Sequence, residues 1–163
     1  MPQSSSIANP DAQKISLFAG FTSGTLDILS ALLYTYLKTG KNPIAVLKYV
    51  ASGAFGATAL SGGSAVVVWG LVFHFMIAFI FTTFFFLIYP RLKFLSVNKW
   101  LTAIGYGLFV WCVMNWLVIP FSQVSKPIFH LSNALINAAI LICMIGLTNA
   151  LIIGKYYAES EDY

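Results

Sequence analysis

Four long apolar runs constrain the fold of this chain more than any other feature of its sequence. Each is at least about as long as the 20 residues that an α-helix needs to cross a hydrocarbon layer roughly 30 Å thick. Hydrophobic residues make up 59% of the 163 positions and charged residues only 9%, whereas an ordinary soluble domain has roughly 25% charged residues. The sequence therefore predicts an all-α polytopic membrane protein, a bundle of four transmembrane helices at residues 15–37, 66–89, 100–121 and 131–154.

A shorter apolar segment lies between the first two predicted spans. Asn42-Pro43 is typical of a helix start, and a helix over 43–52 would be about 15 Å long, too short to cross. Glycines follow it at 53, 56, 62 and 63, and they permit sharp turns. We therefore predict an interfacial or re-entrant half-helix, with a fifth span over 43–63 as the alternative. The whole chain, 1–163, is expected to be one integral membrane domain with a disordered acidic tail at 155–163.

The net charge of +4 is spread over loops and termini instead of forming a patch. This distribution favours contacts with lipid headgroups over nucleic-acid binding. An even number of spans places both termini on one side of the membrane. The cytoplasmic side of a membrane protein carries more basic residues near the spans than the opposite side. Five basic residues lie on the side of the termini and four on the other side, which favours cytoplasmic termini. The five are Lys14, Arg91, Lys93, Lys99 and Lys155, and the four are Lys38, Lys41, Lys48 and Lys126.

The first predicted span contains an ionisable residue, Asp27, near its middle. A carboxylate costs about 2.5–3.5 kcal/mol at the centre of a spanning helix, which the apolar residues around it offset. At 100° per residue, Asp27 shares a helix face with Gly20 and Gly24, whose spacing lets helices pack closely. The carboxylate is therefore predicted to face other helices. Ser23, Ser30 and Tyr34 flank it and are candidate hydrogen-bond partners.

The other spans repeat this pattern of small and polar residues. The second span has His74 four residues after Gly70. Because successive helices alternate in direction, these positions fall in the same half of the bilayer at 1.5 Å per residue. The sequence therefore predicts one polar layer shared by all four helices. Its further members are Trp111 and Asn115 in the third span and Asn133 and Asn137 in the fourth, with His130 at the boundary.

Three local patterns point to a family. The second predicted span carries a histidine and an aromatic-rich run that ends in YPRLK, the third span ends in VMNWLVIP, and a histidine precedes the fourth. Over about residues 66–140 this combination resembles the YagU-like group of small bacterial inner-membrane proteins, the DUF1440 class. The resemblance implies a helical protein of the bacterial cytoplasmic membrane and no particular chemistry.

Three functional hypotheses follow from the polar layer. The first is an intramembrane pocket that binds or passes a proton, a cation or a small solute, since buried ionisable groups in lipid mark such sites and imidazole titrates near neutral pH. The second is a structural or partner-binding protein whose polar layer only fixes helix packing. The third is haem or metal binding, with His74 and His130 as axial ligands or with Asp27 joining them. We expect no enzyme, no resident cofactor and no nucleic-acid partner; membrane lipid is the expected partner, and a homo-oligomer is a further expectation.

Overall fold

A computed structural model describes residues 10–92, 98–124 and 130–161 of the chain. Within these ranges the fold is all-α and contains four helices that are long and apolar enough to cross a membrane, with a short apolar helix between the first two. The predicted fold class is therefore confirmed. We number the helices α1 to α5 along the chain. They are α1 Pro10–Thr39, α2 Ala45–Phe55, α3 Ser64–Ile88, α4 Lys99–Phe121 and α5, which begins at Leu131 and ends at Glu161.

Local sequence signals explain several helix ends. Proline is favoured in the first turn of a helix, where its missing N–H costs nothing, and α1 begins at Pro10. It ends before Gly40, whose φ of 64° lies in the left-handed region that favours glycine. The helix α4 is capped by Asn98, whose side chain accepts hydrogen bonds from the backbone N–H groups of Trp100 and Leu101.

The short helix α2 settles the alternative of a fifth span. Its 11 residues make a rod about 16 Å long, roughly half of a hydrocarbon layer. It ends at Gly56, where φ is 72°, and a 3₁₀ turn, Ala57–Ser61, follows. Because the glycine breaks the helix, residues 43–63 do not form one continuous spanning helix.

Both helices of the second half of the chain contain a π-helical segment. In α4 it covers Met114–Val118, and in α5 it covers Ile142–Leu147. A π segment adds a residue to a turn and rotates the side chains that follow it, and such segments often occur at functional sites. Neither segment was predicted from the sequence.

Small residues allow the helices to approach each other. The helix α1 packs against α3 and α5, α2 packs against α3, and α4 packs against α5. Gly20 and Gly24 lie where α1 meets the Phe79 and Phe75 rings of α3, and a side chain at Gly70 would overlap the backbone of Leu47 in α2. These are the three glycines that the sequence analysis assigned to helix packing.

The closest approach of α4 to α5 rests on two further glycines that the sequence analysis did not single out. A side chain at Gly107 would overlap the backbone of Ile142, and one at Gly146 would overlap the backbone of Ala103. Both glycines belong to four-residue spacings of small residues, Ala103 with Gly107 and Gly146 with Ala150, and this spacing is a known signal of close helix packing.

The C-terminal end differs from the predicted disordered tail. The last helical segment, Thr148–Glu161, continues well past residue 155. Lys155 and Glu159 form an ion pair of 3.6 Å on its exposed surface, a spacing that supports helix formation. The last two residues, 162 and 163, lie outside the described part of the chain.

Candidate functional site

Asp27 of α1 and His74 of α3 line the same cavity, which has a volume of about 80 Å³. All five helices contribute to its walls: Val50 comes from α2, Met114 from α4 and Ile145 from α5. Asp27 lies 12 residues before the end of α1 and His74 lies 10 residues after the start of α3, or about 18 and 15 Å along the two helices. The predicted proximity of these two groups thus agrees with their positions in the fold.

His74 is held by the backbone of the neighbouring helix. Its Nε2 lies 2.8 Å from the carbonyl oxygen of Gly24. Because a carbonyl oxygen only accepts hydrogen bonds, the imidazole must carry a proton on Nε2 and donate it. The other ring nitrogen, Nδ1, is then free to exchange a proton, so His74 can be neutral or positively charged without losing this contact.

The carboxylate of Asp27 has no hydrogen-bond donor among the residues that the structure describes, and His74 is its electrostatic partner there. None of its three predicted partners, Ser23, Ser30 and Tyr34, forms a hydrogen bond with it. The hydroxyl of Ser23 is fully buried and lies 3.4 Å from the carbonyl of Gly20 and 3.5 Å from the hydroxyl of Thr82. Ser30 is half-buried on α1, and Tyr34 bonds to α5.

Tyr34 belongs to a second polar cluster, at the end of α1 and the start of α5. Its hydroxyl donates to Oδ1 of Asn133 at 3.2 Å, and Lys38 donates to the same oxygen. The ammonium group of Lys38 also lies over the Tyr34 ring, 5.5 Å from its centre. The structure therefore places Asn133 and Tyr34 in an interhelical contact that is separate from the Asp27 cavity.

The remaining predicted site residues do not line the cavity. Asn115 is exposed, and its Nδ2 donates to the carbonyl of Trp111, one turn earlier in α4, at 2.8 Å. Trp111 itself is half-buried, and Asn137 is exposed on α5. His130 is exposed where α5 begins. The predicted polar layer therefore reduces to a pair of ionisable groups in one place and an interhelical contact in another.

A larger apolar groove adjoins the cavity. It has a volume of about 290 Å³ and lies between α2, α3 and α4. Val50, Ile77 and Met114 line both spaces. The side chains that line the groove carry no charge; burial raises the pKa of the Tyr49 hydroxyl above its ordinary value, so this phenol stays neutral.

Sequence reasoning missed the apolar residues of the site. Among them are Met114 and Ile145, which lie in the π segments and line the cavity. It also missed Asn149, which lies outside the cavity lining; this residue is fully buried, and its Nδ2 and Oδ1 have no hydrogen-bond partner in the described residues. Its signal was a polar amide within the predicted span 131–154.

Among residues 10–92, 98–124 and 130–161, no group of three His, Cys, Asp or Glu side chains is arranged to hold a metal ion. Comparison of the chain with protein-family models, with curated proteins and with solved structures yields no match. What the arrangement can do chemically must therefore be argued from the Asp27 cavity itself.

Proposed function

We propose that this multi-pass membrane protein binds a proton, or a small cation that competes with the proton, at Asp27 and passes it across the membrane. His74 acts as the second proton-exchanging group of the site. Asp27 would bind the cation directly, and the charge on His74 would decide how strongly the cation is held. The four spanning-length helices provide the membrane setting.

One observation carries this proposal: a half-buried carboxylate that borders a cavity and lacks a hydrogen-bond donor in the described residues. A buried carboxylate that only stabilises a fold normally accepts hydrogen bonds from nearby donors, because a buried acceptor without them is costly. Ionisable residues inside spanning helices commonly mark binding sites or proton relays. A proton or cation from outside the chain would bind the carboxylate oxygens that no donor of the described residues occupies.

The segment between α1 and α3 suits a mouth for this site. Val50 of α2 lines the cavity, and the non-helical backbone around Gly56 and Gly62 follows directly. Backbone of this kind is tolerated at membrane depth where it borders a cavity. The proton or cation would then enter the site from the side of the membrane where α2 lies.

The experiment compares proton and monovalent-cation flux into proteoliposomes for the wild type and Asp27→Asn. The substitution keeps the size of the side chain and removes its charge, so we expect flux to fall to the level of protein-free vesicles. Asp11→Asn is the matched control, because Asp11 is an exposed carboxylate that pairs with Lys14 at the start of α1. It should leave the flux unchanged.

Equal flux through the wild type and Asp27→Asn would refute the proposal. His74→Gln provides a second measurement. Glutamine can still donate a hydrogen bond to the Gly24 carbonyl but cannot titrate. We expect flux through this variant to persist at a rate different from that of the wild type, because a side chain that exchanges protons has been replaced by one that cannot.

The hydrogen bond between His74 and Gly24 favours a second candidate, a purely structural or partner-binding role. It joins α1 to α3 at a length of 2.8 Å, and interhelical hydrogen bonds in membranes contribute about 0.6–2 kcal/mol. In that case Asp27→Asn and His74→Gln would lower stability in detergent, and neither would alter flux or ligand binding.

The family and the setting in the cell are also proposals. We infer membership of the YagU-like group from the motifs in residues 66–140, and with it the bacterial cytoplasmic membrane with cytoplasmic termini. Protease protection of a C-terminal tag in intact spheroplasts tests the orientation.

A homo-oligomer is proposed as well, since one chain encloses only a small cavity. The mass of the protein in nanodiscs tests this oligomeric state.

A further inference from the structure

We propose that the Asp27 cavity and the adjoining groove together bind an amphiphilic amine. Its ammonium group would lie at Asp27 and its apolar body in the groove. This inference rests on the proposed role of Asp27 as a cation acceptor, and it adds the chemical class of the ligand. It is carried by the relation of the two spaces, since Val50, Ile77 and Met114 line both of them.

The groove has the size and chemistry of a site for a small apolar group. Its volume of about 290 Å³ is close to the lower end of small-molecule pockets, roughly 300–1,000 Å³. Aromatic and aliphatic side chains line it, among them Phe73, Met76 and Val118. Methionine is flexible and polarisable and can adapt to apolar groups of different shape. The lining therefore favours an apolar body without selecting one particular structure.

The side chains that line the Asp27 cavity and the groove determine which charge a ligand should carry. Asp27 is the only acidic side chain that lines either space in the described residues, no lysine or arginine lines them, and His74 donates its Nε2 proton to the Gly24 carbonyl. An anion would be repelled by the carboxylate, whereas an ammonium group would supply both an opposite charge and N–H donors. A neutral alcohol would donate one hydrogen bond to the carboxylate but would supply no opposite charge. Charge complementarity thus selects an amine over an acid or an alcohol.

The outer end of the groove is built from backbone that is held by Gln123. The backbone N–H of Gln123 donates to the carbonyl of Gly53 at 2.9 Å, and its side-chain Nε2 donates to the carbonyl of Ala54, also at 2.9 Å. Gly53 and Ala54 line the groove together with Ser122 and Val124. These bonds fix the end of α2 against the end of α4, so the groove keeps its shape on the side from which a ligand would enter.

The test is saturation binding of radiolabelled phenylbutylamine to the full chain in nanodiscs of a zwitterionic lipid. Protein-free nanodiscs correct for partitioning into the bilayer. Phenylbutanol, which has the same apolar body without the charge, is the matched ligand. We expect saturable binding of the amine, weaker by at least roughly tenfold for the alcohol and for Asp27→Asn, because each removes one partner of a desolvated charge pair.

A second pair of variants tests the groove without touching the carboxylate. Val118→Phe fills the groove, since Val118 lines the groove and does not line the Asp27 cavity. Leu117→Phe is the control, because Leu117 precedes Val118 in α4 and is 54% exposed. We expect Val118→Phe to weaken amine binding at least roughly tenfold and to keep proton flux, whereas Leu117→Phe should bind the amine as the wild type does.

The outcomes separate this inference from the proposed function. Asp27-dependent flux without saturable amine binding, or equal binding by Val118→Phe and Leu117→Phe, would overturn the inference and leave the proposed function standing. Equal flux through the wild type and Asp27→Asn would overturn both. Equal binding of amine and alcohol would show that the groove holds apolar chains such as lipid tails, which also overturns it. If Val118→Phe does not fold, Val118→Ala decides instead: it should strengthen binding of the bulkier naphthylbutylamine, and unchanged binding would count against the groove.

Discussion

The contact between α4 and α5 provides the sharpest test of how this bundle is packed. A side chain at Gly107 would overlap the backbone of Ile142, the first residue of the π segment in α5. Gly105 lies two residues earlier on the same helix and has open space where a side chain would be. Gly107→Ala and Gly105→Ala are therefore the same chemical change in two different surroundings.

The magnitude follows from the difference between the two variants. Replacing a helical glycine by alanine stabilises the helix by about 0.5–1 kcal/mol in either position. At Gly107 the added methyl group meets backbone atoms, which cannot rotate away as a side chain would, and overpacking of this kind costs about 1–3 kcal/mol. Since the gain in helix stability cancels in the comparison, Gly107→Ala should be less stable than Gly105→Ala by about 1–3 kcal/mol.

The measurement is equilibrium unfolding in mixed micelles, followed by far-ultraviolet circular dichroism while the fraction of denaturing detergent is raised. We expect the midpoint of Gly105→Ala to equal or exceed that of the wild type, and the midpoint of Gly107→Ala to fall below both. Equal midpoints for the two variants would refute the close approach of α4 to α5. Because this contact also positions Ile145 on the Asp27 cavity, flux should decrease in Gly107→Ala alone.

Two further substitutions test buried polar groups. Asn149→Leu replaces a fully buried amide that lacks a partner in the described residues, so it should raise the free energy of unfolding by about 1–3 kcal/mol. The measurement is thermal unfolding in detergent. A decrease in the free energy of unfolding would mean that the amide is satisfied in the bilayer. Tyr106→Phe removes a 2.5 Å hydrogen bond from the buried Tyr106 hydroxyl to the carbonyl of Phe81 and should cost about 0.5–1.5 kcal/mol, whereas Tyr36→Phe, at an exposed tyrosine of α1, should cost nothing measurable in the same assay.

The architecture could be predicted because it depends on local properties of the chain. Helix length and apolar composition are read along the sequence, and the requirement that backbone groups be satisfied in lipid leaves an apolar run little choice but a helix. The end of α2 at Gly56 depends in the same way on a single residue type. The C-terminal tail was predicted less well, because polarity alone does not show that Lys155 and Glu159 pair along one more helical turn.

The candidate site could be predicted only in part. Asp27 and His74 could be associated because each lies on the small-residue face of its helix and at a similar depth in the membrane. Both properties follow from 3.6 residues per turn and a rise of 1.5 Å per residue. The same reasoning failed to separate Asn115 and Asn137, which are exposed, from the cavity. Asn115 lies in the π segment of α4, where an extrapolation at 100° per residue no longer holds. Asn137 precedes the π segment of α5, and its local sequence does not show which face of that helix is packed.

The sequence by itself thus determined four spanning-length helices, a short helix between the first two, and a carboxylate on the small-residue face of α1. Tertiary structure alone decided that Asp27 has no donor among the described residues, that His74 donates to Gly24 instead, and that an apolar groove adjoins the cavity. The physical reason is the range of the interactions. Helix formation is encoded within a few turns of chain, whereas a cavity exists only where side chains from five separate helices fail to fill the space between them.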